Sequence, residues 1–61
     1  MKWIVELEDD VWLADGVGDP PRTVWKEFAL NFSSKVRAER ALSMARLFKP
    51  YVDAKIYPRE D

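Results

Sequence analysis

The side chains that most often do acid–base or nucleophilic chemistry are missing from this chain, whose 61 residues contain neither histidine nor cysteine. That removes an imidazole base, a thiolate nucleophile and the ordinary zinc ligand sets. Carboxylates remain. Glu8 with Asp10, and Asp15 with Asp19, are pairs that could hold a hard cation weakly. A calcium loop needs more oxygen ligands at fixed spacing than the run DGVGDP supplies. The chain is therefore read as a non-enzyme, with no catalytic, cofactor-binding or metal-ligating residue and no cofactor.

Other features suit contact rather than catalysis. The loop 15–22, DGVGDPPR, holds both glycines and two of the four prolines. It has no Gly-Lys-Ser/Thr and no strand-to-helix setting, so it is not a phosphate loop. Its prolines make it stiff, and a stiff loop loses little entropy on binding. Arg22 is its anchoring charge. Trp25 falls on the minority parity of its segment, which marks it for exposure, and tryptophan is enriched at interface hot spots. A second set is carried by residues 33–49. There, Val36, Arg40, Ser43 and Leu47 fall on one line with Met44 on its flank. Arg22, Trp25, Val36, Arg40 and Leu47 are thus the candidate contacts to another protein. Lys35, Arg37, Arg40 and Arg46 are the alternative, a basic helix surface meeting phosphates of nucleic acid.

These residues need elements to position them. Residues 33–49 carry the one clear helical period, with Ala38, Ala41, Leu42, Ala45 and Phe48 at i, i+3, i+4, i+7 and i+10. Ser33 or Ser34 supplies the N-cap, without a capping box, and Pro50 stops the helix. A lone helix of this length is marginal in water, so its stripe must lie on strands. Residues 2–8 alternate, with Trp3, Val5 and Leu7 opposite Lys2, Glu6 and Glu8, and with Ile4 on the polar side. Asp9-Asp10 is either a hairpin turn or a bend, and residues 11–15 resume as a strand.

Residues 23–32 read as a third strand. Val24, Phe28, Leu30 and Phe32 share one parity, broken by Lys26, while Trp25 and Ala29 share the other. Which parity faces the helix stays open. Residues 53–58 form a last strand, running parallel to the third and able to lie beside the first, with 59–61 beyond it. The expected fold is a single α+β domain over 1–61, a small antiparallel or mixed sheet with one helix on one face. The other face lacks a covering layer in this reading, so its Trp, Ile or Tyr side chains would be wet in a monomer.

Composition narrows the partner. The net charge of −1 excludes a strongly basic nucleic-acid binder by total charge, but the distribution is uneven: residues 1–19 carry net −5 and residues 20–50 net +5. No apolar run reaches the ~20 residues a bilayer requires, and no secretory leader pattern is visible, so a soluble, cytoplasmic chain is expected. A chain this short buries only about 60% of its unfolded surface, which makes core aromatics or self-association important.

The runs KWIVELEDDVWLA, GDPPRTV, FSSKVRAERALSMARLF and AKI, which span nearly the whole chain, resemble short, mostly uncharacterised proteins of phages and prophages. The chain departs from that pattern at Asp9-Asp10, where an acid followed by Gly would be usual. The resemblance carries no activity and no functional residue. It implies a mobile-element origin, in which many such proteins act by binding a host protein. The function expected is a small accessory or inhibitor protein working by protein–protein contact, the alternatives being a nucleic-acid-binding module and a self-associating structural protein.

Overall fold

The structure, a computed structural model, describes residues 1–59. It contains β1 (Lys2–Glu8), β2 (Val11–Leu13), β3 (Arg22–Thr23), a short 3-10 helix (Lys26–Phe28), α1 (Lys35–Ala45) and β4 (Lys55–Arg59). The four strands form one sheet in the order β3-β2-β1-β4, antiparallel throughout. The α+β class is as the sequence implies. Residues 60 and 61, the end of the expected tail, lie outside the described residues, while Arg59 belongs to β4.

The β1–β2 connection is a hairpin turn. Asp10 takes a left-handed φ of 58°, and the register slips between Glu6 and Glu8, the combination of a short turn with a bulge. Aspartate tolerates that conformation. The Glu6 carboxylate supports the turn by accepting from the Asp10 N–H at 3.2 Å.

β1 is the central strand and is buried on both faces. Val5 and Leu7 face α1, where they pack with Leu13, Ala38, Leu42, Ala45 and Tyr51. Ile4 points the other way, as strand alternation demands, and packs with Trp12 and Ala29. That second face is not bare. The chain leaves β3 and crosses it, so Ile4 is 0% and Trp12 only 7% exposed. The expectation of a wet face is corrected, and the reason lies in residues 23–32. They do not form one strand. Only Arg22 and Thr23 pair with β2, the 3-10 helix follows, and the chain returns to the sheet at Phe32, which bridges Trp3.

Phe32 joins the edge of β1 on the β2 side while β4 joins the opposite edge, each antiparallel to β1. The helix therefore connects two segments that run the same way on either side of β1. The last strand does lie beside the first. It runs parallel to the Phe32 end of the expected third strand and antiparallel to β3.

Ser34 caps α1, its Oγ accepting from the Arg37 N–H at 3.2 Å. The helix ends sooner than the expected residue 49. The N–H groups of Leu47 and Phe48 bond three residues back, to Met44 and Ala45, which tightens the last turn. Tyr51, at φ 46°, then folds its ring into the core beside Leu7 and Ala45. Phe48, the expected end of the apolar stripe, is 58% exposed. Arg46 holds this reversal, its guanidinium donating to the carbonyls of Pro50 at 3.2 Å and Tyr51 at 3.3 Å.

The loop 15–22 has a fixed shape. Gly18 adopts φ 145°, and a Cβ there would lie 2.9 Å from the Pro20 carbonyl oxygen and 3.0 Å from the Pro21 Cα. Gly18→Ala should destabilise the fold by about 1–3 kcal/mol, because dihedral strain and a backbone clash coincide. Gly16→Ala, with open space around its Cβ, should lose less. Urea unfolding of the two variants checks the order.

Candidate contact surface

Two surfaces group exposed apolar side chains, Val24, Trp25 and Phe28 on one and Val36, Met44 and Leu47 on the other, and they lie on opposite faces of the sheet; Met1, Val17, Phe48 and Val52 are exposed outside them. The first is the segment that crosses the second face. Thr23 Oγ1 accepts from the Trp25 N–H at 3.1 Å, which starts the turn. The N–H groups of Phe28 and Ala29 then donate to the Trp25 and Lys26 carbonyls, both at 3.0 Å. The inner side is pinned at several points. Ala29 is buried against Ile4 and Trp12, and the Lys26 ammonium sits 5.4 Å from the centre of a Trp12 ring. Arg59 donates to the Lys26 carbonyl at 3.2 Å, and the Leu30 N–H donates to the Leu13 carbonyl at 2.9 Å.

Held in this way, the segment turns Val24, Trp25 and Phe28 outward at 65%, 60% and 68% exposure. Trp25 is where the sequence reading places it. Val24 and Phe28 were not among the candidate contacts, because period-two alternation grouped them with Leu30 and Phe32. The signal that could have found them is Lys26, a cation inside an apolar alternation, which opens the 3-10 helix where the alternation fails. Arg22 is exposed on β3, with its guanidinium donating to the Pro20 carbonyl at 2.9 Å, so it stiffens the loop it was expected to anchor.

The second surface is the outer side of α1. Val36, Arg40 and Met44 follow one another at i, i+4 and i+8, and Leu47 continues the line into the tightened turn; all four are exposed. The four basic candidates divide. Arg46 is engaged with backbone carbonyls, and the Lys35 ammonium stands 6.0 Å from the centre of a Trp3 ring. Arg37 and Arg40 are exposed, and their guanidinium groups meet no partner among the described residues. The structure does not bring these arginines together with Arg22 and Trp25, because α1 and the 24–29 segment cover opposite faces.

No family model matches this chain, and no curated protein or solved structure matches it.

The acids are arranged differently from the expected pairs. Glu8 forms an ion pair with Lys49, tying the hairpin tip to the end of the helix. Glu6, Asp9 and Asp10 instead bring carboxylate oxygens within 4.8 Å of one another. The turn itself accounts for this crowding. One Glu6 oxygen accepts from the Asp10 N–H and the other from the Tyr57 hydroxyl, each at 3.2 Å. Beside the hairpin tip lies an open depression of about 280 Å³, lined by the buried Leu7 and Tyr51 and by charged groups that include Glu8, Asp9 and Lys49. No helix among the described residues is long and apolar enough to cross a membrane.

Proposed function

We propose that this chain is a small non-catalytic binding protein that acts by contact with another protein, through the surface formed by Val24, Trp25 and Phe28. One observation carries the reading: three large apolar side chains within five residues are all more than half exposed, on a segment whose inner side is fixed to the core. Scattered exposed apolar residues are ordinary. A cluster on a preorganised backbone is not, since little conformational entropy is lost when it is covered. The accessory or inhibitor role of phage type rests on the sequence resemblance given above, and a cytoplasmic setting on a composition with no apolar run of membrane-spanning length.

The sheet separates Trp25 and Phe28 from the exposed Arg37 and Arg40, which favours this reading over nucleic acid. A single-strand surface needs stacking rings and cations along one groove. The sheet face that would have carried self-association is largely covered by the chain itself.

The test is affinity capture from a bacterial lysate, followed by titration of the captured protein. Trp25→Ala combined with Phe28→Ser should weaken that complex by about thirtyfold or more, the size of a hot-spot loss. The same variant should unfold within about 0.5 kcal/mol of the parent, because neither ring is buried. Equal capture and equal affinity for parent and variant would remove the surface from consideration.

A further inference from the structure

The outer side of α1 has a chemistry of its own. Along one line of the helix an apolar side chain, a cation and an apolar side chain alternate, Val36, Arg40 and Met44, with Leu47 extending the line. Arg37 stands beside it. The one acid of the helix, Glu39, lies on the flank, and Ser43 is turned back on the Glu39 carbonyl at 3.1 Å. The other cations of this region have work inside the fold: Lys35 lies near Trp3, Arg46 holds the chain reversal, and Lys49 pairs with Glu8. Arg37 and Arg40 have none.

We infer that this stripe is a docking site for an acidic amphipathic segment of another protein, a helix with apolar anchors flanked by carboxylates. Charge complementarity selects that occupant. Exposed guanidinium groups interleaved with apolar side chains are matched by carboxylates interleaved with apolar side chains, and Arg binds carboxylates in a bidentate fork. A second copy seated helix to helix is a poor match, because residues 35–49 carry five cations against one acid and would meet their own charge. The site is independent of the Trp25 surface, which lies across the sheet.

The probe is a synthetic peptide of about 15 residues built from Glu, Ala and Leu, with the leucines at i, i+3, i+4 and i+7. A scrambled peptide of the same composition and an oligothymidylate are the comparisons, and binding is read by calorimetry on the intact chain. The amphipathic peptide should bind, and more weakly as salt rises. Arg37→Glu with Arg40→Glu should weaken it about tenfold or more, and Met44→Ser with Leu47→Ser should do the same, while Trp25→Ala leaves it unchanged. These positions are exposed, so each variant should keep its far-ultraviolet circular dichroism. Any of four results would overturn the assignment: no binding, equal binding of the scrambled peptide, no effect of the double charge reversal, or tighter binding of the oligothymidylate. A salt-sensitive dimer abolished by Met44→Ser with Leu47→Ser would give the stripe to a second copy instead.

Discussion

Leu42→Ala should lower the unfolding free energy by about 2–5 kcal/mol, while Phe48→Ala should change it by about 0.5 kcal/mol or less. Both residues fall on the apolar helical stripe read from the sequence, so the stripe alone would assign them similar losses. The structure separates them. Leu42 is nearly sealed between α1 and the sheet, in the cluster with Val5, Leu7 and Leu13. Phe48 lies past the end of the helix and keeps most of its surface in water, because Tyr51 has taken the place beneath the last turn. Alanine is the best helix former, so the Leu42 substitution tests packing and not helix propensity. A domain of this length is stable by roughly 3–9 kcal/mol, which makes the Leu42 loss a large part of the whole. Urea unfolding followed by circular dichroism checks both values. A near-neutral Leu42→Ala with a costly Phe48→Ala would mean that the helix continues to residue 49 and that the core is set one turn further on.

Ala29→Arg should cost about 3 kcal/mol or more, from overfilling a closed site and from placing a charge in it. Phe28→Arg, one residue earlier, should be tolerated within about 0.5 kcal/mol. The contrast tests whether the 24–31 segment is a true second layer. Ala29 has 4% of its surface exposed and touches the cluster of Ile4 and Trp12, whereas Phe28 faces water. Ala29→Arg should also shift tryptophan emission to the red, because displacing the segment wets Trp12. If residues 23–32 were instead one strand with Phe28, Leu30 and Phe32 turned inward, the two losses would be reversed. If the segment were a loose loop, both substitutions would be harmless.

Much of the architecture is visible in local pattern. The helix shows itself because Ala38, Leu42 and Ala45 recur at its period, Ser34 offers a hydroxyl to the orphan N–H groups of the first turn, and Pro50 forbids continuation. A break shows itself because Asp9-Asp10 interrupts an alternating strand, but the choice of hairpin over bend, and the bulge that aligns Glu6 with Trp12, do not. Ile4 is an informative misfit. An isoleucine on the polar parity of β1 signals that the second face is covered, and the cover is the returning chain. The contact candidates divide on the same ground. Trp25 is legible from its parity, whereas Val24 and Phe28 become visible only once the strand is known to end at Thr23.

What the amino-acid order by itself determined is one amphipathic helix between strands, in a chain without histidine or cysteine; the third strand it implied over 23–32 forms only at Arg22–Thr23. The helix and its flanking strands follow from periodicity and side-chain chemistry, which act over a few neighbours. Only the tertiary structure decided which face each side chain meets. Tyr51 displaces Phe48 from the core, and Ala29 with Lys26 closes the face that alternation left open. Arg46 is drawn into bonding the backbone, while Arg37 and Arg40 remain outside. The physical reason is competition for a small core. With so little interior to share, distant segments settle which apolar groups are sheltered and which are left to bind.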